Sequence, residues 1–181
     1  MGHVEEGFVT EDTQCGCTIN PHSEEFSGFL PVKDLRHQLN CIPGEPGHIG
    51  IYVVLRTQKA PPIFKETGSG GHFKGRNPNV EIGVLESHWV ENADVLYIGK
   101  AGGTENQSTL RCRLQAFLAF GNEKRVAHWG GRFIWQLEDH EDLLVCWKLA
   151  ACSTPRELEE TMIRDFKRKH HGRRPFANLR D

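Results

Sequence analysis

Both tyrosines of this chain stand in short apolar runs beside glycine: Tyr52 in GIYVVLR, residues 50–56, and Tyr97 in VLYIGK, residues 95–100. A strand that only fills a core gains nothing from ending in a phenol, a glycine and the ammonium group of Lys100. Side chains alternate along a strand, so Tyr52 shares a face with Gly50 and Val54, and Tyr97 with Val95 and Gly99. If the two strands pair, both hydroxyls converge beside the glycine-flanked ends. The plainer alternative is a pair of core aromatics with hydroxyls at the surface, and periodicity alone leaves both open.

A carboxylate is also out of place. Leu158, Met162, Ile163 and Phe166 form one apolar stripe at helical spacing, and Glu159 falls inside it. An inward carboxylate costs several kcal/mol unless a cation meets it, so Glu159 is either half of a salt bridge or a metal ligand. The far face carries Glu160, Arg164, Lys167 and His171, a solvated stripe with one favourable Glu-to-Arg pairing. In NQSTLRCRLQAFLAF the apolar positions are Leu110, Leu114, Phe117 and Leu118, with Arg113 at one margin and Arg111 at the other. Either arginine can snorkel to the surface, and spacing does not choose between them.

The elements that must position these groups read strand, strand, helix, strand, strand, helix. Residues 1–25 mix Gly, Glu, Ser and Thr without period and are expected to be a flexible tail. FLPVKDLRHQL, residues 29–39, predicts a short helix or turn, followed by a loop punctuated by Pro and Gly. The strand at 50–56 leads into a long Gly- and Pro-rich insertion, 57–93, before the strand at 95–99. GRFIWQL (131–137) and LLVCWKL (143–149) read as two further strands. The last helix has a clear start, with Thr154 as N-cap, Pro155 in the first turn and Glu157 completing a capping box. It is expected to run to about His171 and stop at Gly172, with Pro175 beyond. Residues 26–181 thus predict one α+β domain with a small mixed or antiparallel sheet flanked by helices.

Composition narrows the function classes. A net charge of −2 argues against a surface coated in positive charge, and confines any nucleic-acid contact to local patches such as KRKHHGRR, 167–174. That run is either a solvated helix end or a phosphate-binding patch. No apolar run is long enough for a membrane span and the acidic front shows no signal peptide, so a cytoplasmic protein with no membrane partner is expected. The six cysteines include no Cys-x-x-Cys pair and are expected to be reduced thiols. YIGKAGGT and GSGGHFKG do not fit the phosphate-loop pattern, and DHED, 139–142, reads as an acidic turn.

The pieces GIY at 50–52, YIGK at 97–100, RL at 113–114, a Glu in LEETMI and the closing PFAN together resemble the GIY-YIG nuclease superfamily, over roughly residues 48–178. The resemblance implies a GIY-YIG-like domain and a metal-dependent endonuclease that hydrolyses phosphodiester bonds, with DNA favoured over RNA as partner. Tyr52 and Tyr97 match the two motif tyrosines, Lys100 the basic residue after the glycine, and Arg113 the family arginine. Glu159 matches the metal ligand through E-x-x-[LM]-I, and Asn178 the terminal asparagine. One Mg2+ or Mn2+ per site is implied, held by Glu159. Arg113 would hold a phosphate oxygen, Tyr52 would activate the attacking water with Tyr97 orienting it, and Asn178 would orient the site.

Further nucleic-acid contacts are expected from His72, Lys74 and Arg76 in the insertion, from His128, and from Lys167 and Arg173 in the basic run. A homodimer or partner subunit would serve target placement. The insertion between the triplets, Phe117 where relatives often carry His or Tyr, and a stretched interval from Glu159 to Asn178 depart from the family pattern. A non-catalytic nucleic-acid-binding module on the same scaffold is the alternative.

Overall fold

The computed structural model describes residues 25–103 and 107–180, so the expected tail lies outside it except for Glu25. The architecture is α+β: a four-stranded antiparallel sheet in the order β1-β4-β2-β3, flanked by helices. Strand β2, Gly50–Leu55, is central and buried along its whole length, as its β-branched content favours. It pairs with β3, Val95–Ala101, on one side and with β4, Leu144–Leu149, on the other.

Alternation along β2 divides the interior in two. Tyr52 and Val54 face helix α3, Leu110–Phe120, and pack in the cluster holding Tyr97, Leu114, Phe117 and Leu118. Ile51, Val53 and Leu55 face helix α4, Pro155–Lys169, and meet Ile98, Leu158, Met162 and Ile163. Each fully buried aliphatic or aromatic side chain in these layers contributes roughly 1.5–3 kcal/mol. The motif glycines have steric reasons. A Cβ on Gly50 would overlap the Lys148 carbonyl on β4, and one on Gly99 would overlap the Tyr52 ring lying across it.

Three elements differ from the sequence expectation. Ser27–Pro31 forms edge strand β1 against β4, with positive φ at Gly28 and Phe29, before the short helix α1, Val32–Leu35. GRFIWQL is not a strand. Arg132–Gln136 coil into a 3-10 helix in which Phe133, Ile134, Trp135 and Gln136 are all buried. A run of consecutive buried residues reads equally as strand or helix, and here among the described residues only Leu137 makes a bridge, with Phe64. The insertion also contains an unforeseen helix, α2, Ile82–His88.

The insertion is sewn to that 3-10 helix. The Gln136 amide donates to the carbonyls of Lys65 and Val80 at 3.0 and 2.8 Å and accepts from Val80 N–H at 2.9 Å. The DHED segment is a turn, as expected, and gathers cations: Arg56 on Asp139, Arg36 on Glu141 and Lys33 on Asp142. Among the described residues no helix is long and apolar enough to cross a membrane, and Cys41, Cys112, Cys146 and Cys152 are free thiols. Cys15 and Cys17 lie outside the described residues.

Candidate active site

Cross-strand register places Tyr52 opposite Gly99 and Val54 opposite Tyr97, so both phenols lie on the α3 face. Their rings are 5.9 Å apart in an edge arrangement, with Phe117 against both. Their exposures differ. Tyr52 is 0% exposed, whereas Tyr97 at 6% lines an open cleft of about 600 Å³. Burial first, and then Tyr97, pushes the Tyr52 phenol well above its ordinary range. Burial also raises Tyr97, but the charge of Arg113 and a hydrogen bond donated by Tyr52 oppose that rise. Tyr97 is therefore the phenol that faces the cleft. Tyr52, expected to activate the water, stands behind Tyr97 and is not among the residues lining the cleft.

His128 does not contact the surface. It is fully buried, with Nε2 2.7 Å from the Tyr52 hydroxyl, so it is not available as the nucleic-acid contact expected of it. Burial, aided by Arg113, holds its imidazole down to about 3, so it is neutral at ordinary pH. Its ring lies 5.1 Å from Phe117. The loop after α3 thus brings an imidazole against the tyrosine pair. No spacing rule could have found it, because loop 121–131 carries no period.

The two α3 arginines separate cleanly. Arg111 donates to the Ile42 and Asn40 carbonyls at 2.9 and 3.2 Å and ties α3 to the 3-10 turn Leu39–Cys41. Arg113 donates to the Ala127 carbonyl at 3.3 Å, and its charge acts on Tyr52, Tyr97 and His128. It is not among the residues lining the cleft.

Glu159 meets the Lys100 ammonium in a close contact on the α4 face of the sheet, with side-chain exposures of 14% and 41%. Of the two fates open to an inward carboxylate, the salt bridge is the one present. Both residues line the cleft with Tyr97, so the cleft wraps around β3 and joins the two faces. Asn178 caps the free edge of β3: Oδ1 accepts from Ile98 N–H at 2.9 Å and Nδ2 donates to the Ile98 carbonyl at 2.8 Å. Its amide is fully spent on the backbone, one residue from Tyr97. Trp129, Gly130, Arg132 and Arg180 also line this cleft, and sequence reasoning missed them.

The expected outer contacts lie elsewhere. His72, Lys74 and Arg76 are exposed on and just before a tight turn closed by Arg76 N–H to the Phe73 carbonyl at 3.1 Å, and none lines the cleft. Positive φ at Lys74 and Gly75 makes that turn. Lys167 lines a neighbouring groove of about 490 Å³ along α4 with Arg164 and Arg168, and Ile163 borders both cavities. On the same helix the pairing partner of Glu160 is Arg156, not Arg164. Arg173 is exposed and donates to the Ser87 carbonyl at 2.5 Å.

The donors of the cleft amount to one carboxylate, and no group of three or more His, Cys, Asp or Glu able to hold a metal occurs among the described residues. That set suits magnesium, which keeps most of its waters and takes one or two carboxylates plus a substrate phosphate. Lys100 would have to yield Glu159 to such an ion. Comparison with known proteins finds no matching family model, curated protein or solved structure.

Proposed function

We propose that the chain is a metal-dependent endonuclease of the GIY-YIG kind, acting on phosphodiester bonds of nucleic acid, DNA before RNA. The observation that carries this reading is the meeting of Tyr97, Lys100 and Glu159 in one cleft, with Tyr52 directly behind. The intact triplets and the order Tyr52, Tyr97, Lys100, Arg113, Glu159, Asn178 support it.

In this reading Tyr97 orients the attacking water and takes its proton. A phenol of pKa about 10 is a weak base at neutral pH and needs donors and cations to favour its anion. Tyr52 supplies the donated hydrogen bond and Arg113 the positive charge. Lys100 pairs with Glu159 before substrate arrives, and its exposed end can follow a phosphate oxygen. A magnesium or manganese ion on Glu159 would polarise the phosphate and offset charge on the leaving oxygen. Asn178 holds β3, and so Tyr97, in place. The basic groove of Lys167, Arg164 and Arg168 continues the cleft and suits a strand backbone. A homodimer or partner subunit would fix the cutting position.

The Lys100–Glu159 contact favours a second reading, a nucleic-acid-binding module that has kept the scaffold without the reaction. Incubating the purified chain with end-labelled duplex DNA, single-stranded DNA and RNA, with magnesium or with EDTA, separates the two. Magnesium-dependent fragments with defined ends are expected; retention on the same substrates with no cutting would favour the module.

A further inference from the structure

We infer that Arg132 is the guanidinium with which this cleft binds a substrate phosphate, a role the arginine of α3 does not fill from where it stands. The inference rests on the nucleic-acid reading above for its ligand and on the following geometry for its site.

Arg132 opens the 3-10 helix and lines the cleft, whereas Arg113 does not. Its guanidinium carbon lies 4.8 Å from the centroid of Trp129 and 4.7 Å from that of Phe133, so aromatic rings hold the plane of the fork. Stacking of this kind leaves the edge of the guanidinium, where its donors point, free to take two oxygens of one phosphate. The donors are not spent elsewhere. The Arg132 side chain makes no hydrogen bond or ion pair among the described residues, and its Nε is buried without a partner. An unmatched charge with an orphaned donor is costly to keep in a half-covered site, which points to a ligand that completes it.

The segment WGGR also sets this group beside the reacting phenol. A Cβ on Gly130 would lie 3.0 Å from the Tyr97 hydroxyl, and one on Gly131 3.2 Å from the Tyr97 ring. The two glycines let the chain pass close against Tyr97, and Arg132 follows immediately. Charge agrees with the assignment. Among the described residues Lys100, Arg132 and Arg180 line the cleft against one carboxylate, that of Glu159. An anion is the complement of that surface, and a phosphodiester is the anion that a planar fork next to an aromatic wall recognises best.

Two measurements test this. The buried Nε–H of Arg132 can be followed by nitrogen-15 NMR, assigned by its loss in Arg132→Lys, while thymidine 3′,5′-bisphosphate is added to the full chain. A saturable shift is expected with the bisphosphate and none with thymidine. Separately, the Glu159→Gln chain, with and without Arg132→Ala or Arg132→Lys, is titrated with a single-stranded thymidine oligonucleotide across a range of salt. Losing one phosphate contact should reduce the slope of log K against log salt by roughly 0.7, with Arg132→Lys keeping the slope and Arg132→Ala losing it. A stationary Nε–H resonance, or an unchanged slope in folded Arg132→Ala, overturns the assignment. If both arms succeed while the wild-type chain cuts nothing, the phosphate site stands and the nuclease reading falls.

Discussion

His128 and Tyr52 have no access to solvent, yet both pack against the one phenol that does. Replacing His128 by Phe keeps the volume but removes the ring nitrogen at 2.7 Å from the Tyr52 hydroxyl. A buried polar partner lost in this way costs about 1–3 kcal/mol, and a nitrogen donor or acceptor in its place, as in His128→Gln, should recover part of it. The expected outcome is that His128→Phe lowers both thermal stability and the cleavage rate, with partial recovery of both in His128→Gln. The same residue makes stability depend on acid. Its folded pKa is depressed to about 3 by burial, from an ordinary value of about 6.5, so its contribution is complete above 6.5 and is lost as pH falls towards 3. Urea midpoints measured across that window should fall less steeply with acid in His128→Gln than in the wild type. Gly99→Ala forces a methyl into the Tyr52 ring, an overpacking that costs about 1–3 kcal/mol, and it is expected to lower activity because the ring must move. A normal melting temperature and normal rate for that variant would show that the ring is not held there.

At the scale of elements, the strands and helices with two agreeing signals were legible. Helix α4 begins where Thr154, Pro155 and Glu157 say it begins, with Thr154 Oγ1 accepting from Glu157 N–H at 3.2 Å and the Glu157 carboxylate accepting from Thr154 N–H at 2.8 Å. It ends at Lys169, two residues earlier than expected. Thr154→Ala should cost about 1 kcal/mol of stability, read as a lower denaturation midpoint, and leave the cleft chemistry unchanged. A loss of cleavage out of proportion to that change would mean that the start of α4 also sets the position of Glu159. GRFIWQL misled because four consecutive buried side chains satisfy two templates, and only the insertion's backbone, bonded to Gln136, shows which applies. Strand β1 was missed because positive φ at Gly28 and Phe29 bends it and breaks its alternation.

At the scale of the whole molecule, the candidate site is a junction rather than a pocket of one face. Edge strand β3 carries Tyr97 towards α3 and Lys100 towards α4, and the cleft is the groove where those faces meet around the strand. Glu159 was legible as an anomaly of a helical stripe, and the two tyrosines as anomalies of strands. Their meeting depended on register, and their difference in exposure on packing. Neither is written in spacing. Trp129 and Arg132 were illegible for further reasons: Trp129 belongs to an aperiodic loop that tertiary packing folds back against Tyr97, and Arg132 lay in a run that read as a strand. The insertion likewise read as a free basic loop, whereas its backbone is bonded to the 3-10 helix and its cations sit away from the cleft.

The central claim is that Glu159 serves the reaction and does not merely partner Lys100. The most direct measurement compares wild type and Glu159→Gln on one labelled DNA, scoring binding in EDTA and cleavage in magnesium. The account predicts similar binding by both and cleavage by the wild type alone. Equal cleavage by the two, or no cleavage by either with binding intact, would contradict it.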